Sequence, residues 1–264
     1  MRIQVDGRQV YFGRGSGVLK DQADSGASSI VFVHGAGFDH SVWVMPARYF
    51  ARKGYVVVSP DLPGHGRSEG PALESIEDMA VWLGKVVDQT TVGDVTVVGH
   101  SMGSLVAYTL GGMQPERVSR LVLIGTSNPM RVGPPLLNAA RDNDPAAYQM
   151  ANVWSHSSAG RIGASQNPGM SNFVSGLRWL ERNQEDVYFR DLNACNEFVT
   201  EPVDLSMPTL VIIGEADRMT SPGAGVEVAT SQSAETVVLS GAGHAMLNEQ
   251  PNQVLDALSE FIEE

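Results

Sequence analysis

Val95-Thr96-Val97-Val98-Gly99-His100-Ser101-Met102-Gly103-Ser104-Leu105-Val106 is the stretch that decides the fold. Its first four residues are a short, unbroken apolar run rich in Val, which reads as a strand buried on both faces. Met102, Leu105, Val106, Leu110 and Met113 then recur at helical spacing, so a helix starts at once. Between strand and helix stands Gly-x-Ser-x-Gly. A turn this tight strains the serine backbone and leaves no room for flanking side chains, which is why Gly99 and Gly103 bracket it. The serine is thrust out at the C-terminal edge of the strand, where open α/β sheets bind ligands. Its hydroxyl stands at a helix N-terminus, which favours developing negative charge.

Outward from this elbow the same rhythm repeats. Continuous apolar runs stand at 30–33, 55–59, 121–124, 209–213 and 236–239, and all read as parallel strands covered on both sides. Between them lie a helix over 43–53 ending at Gly54, a second opened by the capping-box pattern Ser75-Ile76-Glu77-Asp78, and a last one from Pro251. The second carries Ile76, Met79, Ala80, Leu83, Val86 and Val87 on one stripe. Runs at 3–5 and 10–12 around Asp6-Gly7 predict an N-terminal hairpin. Alternation of this kind predicts an α/β fold with a doubly wound, mostly parallel sheet. The rhythm breaks from Asn128 to about Ser206. No strand is expected there; Pro134-Pro135 and Pro145 mark helix starts, with Asp144 as a cap, and helical stripes fall at 136–141, 146–154, 170–180 and 188–198. The expected division is a core of 1–127 and 207–264 with a helical insertion of 128–206.

Composition bounds the function. With 264 residues, fewer than two average domains fit. A net charge of −12 leaves no basic face for nucleic acid or an anionic membrane. The single cysteine, Cys195, forms no internal disulfide and reads as a small packed residue. No apolar segment opens the chain, so no signal peptide is expected, and the chain reads as cytoplasmic. Metal-ligand spacings, phosphate loops and dinucleotide fingerprints are absent from the sequence, so no metal and no cofactor are expected.

A serine needs a base to become a nucleophile. Of the six histidines, His100 belongs to the elbow, His34 and His65 sit in Gly-rich loops, and His40 and His156 have no patterned surroundings. His244 lies in Gly241-Ala242-Gly243-His244-Ala245-Met246, just after the last strand, where a Gly-rich loop can hold an imidazole over the sheet edge. The base needs an acid to fix its tautomer. Gly214-Glu215-Ala216-Asp217 follows the strand at 209–213. Asp217 is the better candidate and Glu215, closer to the strand end, is its rival. The loop Gly125-Thr126-Ser127-Asn128 offers no carboxylate.

In this order, Ser101, Asp217, His244, with the motifs His34-Gly35-Ala36-Gly37 and Asp61-Leu62-Pro63-Gly64-His65-Gly66-Arg67-Ser68, the chain resembles the α/β-hydrolase superfamily, in particular its small bacterial esterase-like members with a helical cap. The resemblance covers nearly the whole chain. It implies an oxyanion hole made by the backbone N–H groups of Ala36 and Met102, a mostly architectural role for Asp61, His65 and Arg67, and a cap formed by the insertion. That cap offers Met130, Met150, Trp154, Met170, Phe173, Trp179, Tyr188 and Phe189, of which most are expected to pack internally and about a third to face the pocket. The expected function is a serine hydrolase cleaving a small carboxylic ester through an acyl-enzyme. A C–C bond hydrolase, lyase or acyltransferase with the same triad is the alternative, and such chemistry would draw on Arg131, Arg141, Arg161, Arg178 or Arg190 to bind a substrate carboxylate. A receptor-like ligand-binding protein is a second alternative. A serine at the elbow argues against the family's carboxylate-nucleophile branches.

Overall fold

The structure, a computed structural model, describes residues 1–163, 171–200 and 205–264. Eight strands form one sheet in the order β1-β2-β4-β3-β5-β6-β7-β8. They are β1 Arg2–Val5, β2 Arg8–Gly13, β3 Ser29–Val33, β4 Val56–Pro60, β5 Val95–His100, β6 Arg120–Ile124, β7 Thr209–Gly214 and β8 Glu235–Leu239. From β4 to β8 every pairing is parallel; the hairpin β1–β2 and its junction with β4 are antiparallel. The hairpin turn is Asp6-Gly7, both at positive φ (51° and 75°), as a two-residue turn between twisted strands requires.

Helices cover both faces. On one, α2 (Ile76–Thr90) and α3 (Met102–Met113) bury Met79, Leu83, Leu105 and Leu110 against Val31, Val33 and Val97. On the other, α1 (Val44–Arg52) and the C-terminal helix Pro251–Glu263 bury Phe50, Leu258 and Phe261 against Ile30, Phe32 and Val98. Successive residues of one strand therefore feed two different cores, which is why these strands are apolar without alternation. Ser75 caps α2 by accepting from the Asp78 N–H at 3.1 Å.

Two expectations need correction. β8 is not buried on both faces: it is the sheet edge, pairs only with β7, and four of its five residues are at least partly exposed. Met113, assigned to the buried stripe of α3, is 48% exposed because the helix ends there.

Between β6 and β7 the described residues contain helices and no strand: α4 Pro134–Arg141, α5 Ala146–Ser155, α6 Ser158–Arg161, α7 Asn172–Leu180 and α8 Val187–Glu197. The Asp144 carboxylate accepts from the Ala146 N–H at 2.9 Å, the cap expected at this start. Leu136, Ala140, Ala147, Ala151, Leu180, Tyr188 and Leu192 form their own cluster, with Ala36 and Phe38 of the loop after β3 packed against it. α9 (Pro222–Ser231) and α10 (Met246–Glu249) follow β7 and β8. Among the described residues no helix is long and apolar enough to cross a membrane.

Candidate active site

Ser101 occupies the junction of β5 and α3 with φ 54° and ψ −123°. A non-glycine residue there is strained, and the neighbouring contacts hold it. The Ser101 N–H donates to the Ile124 carbonyl at 2.9 Å, tying the elbow to the end of β6. A Cβ on Gly99 would come within 2.1 Å of the Gly103 carbonyl oxygen, and one on Gly103 within 2.3 Å of the Val33 carbonyl oxygen. These obstacles are backbone and cannot swing aside. Gly99→Ala is accordingly expected to cost about 3 kcal/mol or more and to lower the thermal unfolding midpoint by roughly 6 °C or more; a wild-type midpoint would show the elbow to be looser than its geometry.

The β7 and β8 loops bring a second and third group to the same edge. His244 Nδ1–H donates to Asp217 Oδ2 at 2.8 Å, and both side chains are buried, 7% and 1% exposed. Asp217 also accepts from the Met219 N–H (2.8 Å), the Thr220 N–H (2.9 Å) and the Thr220 hydroxyl (2.8 Å). Burial pushes its pKa up, but the charge and hydrogen bond of His244 with the Thr220 bonds prevail and hold it below the usual aspartate value. Glu215 is engaged elsewhere: its exposed carboxylate accepts from the Ser240 hydroxyl and the Gly241 N–H, both at 2.8 Å. The imidazole of His244 lies against Gly125, where a Cβ would be 3.2 Å from its Cε1, one residue beyond the carbonyl that holds Ser101. Among the described residues the Ser101 hydroxyl and His244 Nε2 make no hydrogen bond, to each other or to another group.

Ala36 and Met102 are the expected main-chain donors. Gly35 backs onto the elbow, with a Cβ position 3.2 Å from Ser101 Cβ. Met102 is the first residue of α3. Neither the Ala36 nor the Met102 N–H has an acceptor among the described residues.

Several residues of the site escaped the sequence reading. Thr220 braces Asp217; a threonine three residues after an aspartate is an Asx-turn pattern that could have flagged it. His100 Nε2–H donates to the His244 carbonyl at 3.0 Å, and the two rings lie 5.0 Å apart. Burial, then the proximity of His244, lower its pKa to about 3, so it is a neutral prop under the loop. Glu249, buried on α10, accepts from the Gly243 N–H at 2.5 Å and from the Ser157 N–H at 2.7 Å. His156 lines, with His100, His244, Asn152 and Leu180, a narrow cavity of about 30 Å³. None of the seven candidates within the described residues lines this cavity. Trp179 instead borders a cleft of about 290 Å³ beside Gly37 and Phe38, shared with Arg67 and Arg182, and Met170 falls outside the described residues. Cys195 is buried, its thiol pKa pushed up by burial.

The Asp61–Ser68 segment is a brace. Asp61 Oδ1 accepts from the His40 N–H and ring Nδ1–H, both at 2.7 Å, and Oδ2 from the Arg67 N–H at 2.9 Å. Asp39, His40 and Asp61 bring ligand atoms within 4.8 Å of one another, but these bonds already occupy both Asp61 oxygens. The insertion's five candidate arginines also have partners: Arg131 on the Asn196 carbonyl, Arg141 on Asn138, Arg161 on Ser158, Arg178 on Glu181 and Arg190 on Glu74.

A model of the alpha/beta hydrolase family matches residues 30–257. A solved thermophilic esterase matches 100% of this chain with 96% of its own, at a TM-score of 0.80 and 26% identity. The enol-lactonase of Burkholderia xenovorans LB400 shares the fold over 100% of both chains, at a TM-score of 0.82 and 22% identity. The (E)-2-((N-methylformamido)methylene)succinate hydrolase of Acinetobacter baylyi is 33% identical over 96 residues, 36% of each chain. The chain spans about a third of the length of the first curated relatives it matches.

Proposed function

This chain belongs to the alpha/beta hydrolase family, and on that premise we propose that it is a serine hydrolase of small carboxylic esters, with Ser101, His244 and Asp217 as its triad. The observation that carries the proposal is the buried 2.8 Å pair of His244 and Asp217 at the sheet edge that also presents Ser101. Ser101 Oγ attacks the ester carbonyl while His244 Nε2 takes its proton. Asp217 accepts from Nδ1–H, which leaves Nε2 as the base and stabilises the imidazolium. The N–H groups of Ala36 and Met102 receive the oxyanion. The tetrahedral intermediate collapses, the leaving alcohol departs with the proton from His244, and an acyl-enzyme remains. Water, deprotonated by the same imidazole, attacks it and releases the acid. The Ser101–His244 bond is one that unliganded sites often make only when substrate arrives.

Residues 128–206 act in this reading as a cap. Asn152 and Ser155 of α5 and Gly176 and Leu180 of α7 border the cavity at His244, and movement of these helices widens the way for substrate. The fold neighbours include an enol-lactonase, and a lactone is a cyclic ester that the same steps open. A substrate panel tests the proposal: short-chain aryl esters and small lactones are expected to turn over, and faster turnover of vinylogous diketone acids would replace the ester reading with C–C bond hydrolysis. No turnover, together with no fluorophosphonate adduct on Ser101, would favour a ligand-binding protein.

A further inference from the structure

The turn that carries Ala36 is held from two sides: His34, directly after β3, donates its ring Nδ1–H to the Gly35 carbonyl at 2.9 Å, and groups from the insertion hold Gly37. Gly35, Ala36, Gly37 and Phe38 form a β-turn closed by the Phe38 N–H on the Gly35 carbonyl at 3.2 Å, with Gly37 at φ 71°. Gly37 is gripped at both polar atoms. Its N–H donates to Asp191 Oδ2 at 2.8 Å, and its carbonyl accepts from Asn183 Nδ2 at 2.8 Å. Asp191 lies on α8, is 0% exposed, and also receives His65 Nε2–H on Oδ2 at 2.8 Å. Its other oxygen, Oδ1, is buried without a hydrogen-bond partner. A carboxylate is thus taken wholly out of water to hold one glycine amide and one imidazole, at the cost of an unsatisfied oxygen.

We propose that Asp191 is a positioning residue for the oxyanion hole: by fixing the Gly37 amide it holds the Ala36–Gly37 peptide and, beside the His34 bond to the Gly35 carbonyl, the direction in which the Ala36 N–H faces the developing negative charge. This inference rests on the serine-hydrolase reading. Its charge partner agrees with it. Burial disfavours protonated His65, yet the Asp191 carboxylate overrides burial and raises the His65 pKa.

The test compares wild type, Asp191→Ala and Asp191→Asn on a short-chain aryl ester, with active sites titrated by a fluorophosphonate and inhibition measured with an alkyl boronic acid. The boronate forms a tetrahedral adduct on Ser101 and so reads the oxyanion hole, whereas KM reads ground-state binding. Asp191→Ala is expected to lower kcat per titrated site roughly 30-fold and to weaken boronate inhibition comparably, with KM within about twofold. Unchanged kcat and boronate affinity, or a loss confined to KM, overturns the inference. Should Asp191→Ala not fold, Asp191→Asn decides alone. It keeps the shape and one acceptor but loses the charge, so kcat and boronate affinity falling together by several-fold at constant KM upholds the inference, and wild-type values of both overturn it. An inert, unlabelled wild type sinks the serine-hydrolase reading and this inference with it; a labelled, active wild type matched by its variants sinks this inference alone.

Discussion

Ser101→Ala is expected to lower ester turnover by roughly four to six powers of ten while leaving the fold intact. The loss is large because no other group can take over. The serine is the one side chain set at the strained apex, at φ 54°, and alanine has no oxygen to form the acyl-enzyme. On the proposed mechanism, what survives in the variant is the polarisation of the substrate by the N–H groups of Ala36 and Met102, together with binding, so a small rate above the uncatalysed one should remain. Structural damage should be minor, because the Ser101 hydroxyl holds no hydrogen bond among the described residues and its backbone ties are kept. The measurement is steady-state hydrolysis beside intact mass after fluorophosphonate treatment. Loss of both the rate and the adduct is expected, and a variant with the wild-type rate would remove Ser101 from the mechanism.

Asp217→Asn is expected to lower kcat by roughly four powers of ten, with a much smaller change in KM. An asparagine in this place keeps the bonds from the Met219 and Thr220 amides through its carbonyl oxygen, and so turns its NH₂ toward His244. Nδ1 must then accept rather than donate. The proton moves to Nε2, and the base is blocked where it should receive the serine proton. Glu215→Gln is the companion experiment. Its carboxylate serves the Ser240–Gly241 turn, so kcat should stay within a few-fold of wild type. If the two substitutions exchanged their effects, the acid would be Glu215 and the geometry of the β7 loop would be misassigned.

Much of this chain was legible before any coordinates. The hairpin at Asp6-Gly7, the elbow at 99–103, the cap at Ser75 and the helix starts at Pro134 and Pro145 follow from sterics within a few residues. Glycine at 99 and 103 announces a close backbone approach whatever the rest of the molecule does. The apolar runs announced strands with two covered faces; β8 departed because strand composition does not say which strand lies at an edge. Partners distant in sequence were harder to read. Asp191 lies in a helix between Arg190 and Leu192, and a lone aspartate there reads as solvent-facing. It is fully buried and bonds His65, 126 residues away.

The sequence by itself determined the alternation of elements, the strained turn at Ser101 and the chain order Ser101, Asp217, His244, because backbone sterics and hydrophobic periodicity act over short spans. Only the tertiary structure decided that Asp217 rather than Glu215 meets His244, that His100 and Glu249 hold the imidazole loop, and that an insertion helix reaches back to grip Gly37. Those outcomes depend on which side chains the closed sheet sets within about 3 Å of one another in a water-poor interior, where each buried donor and acceptor must find a partner.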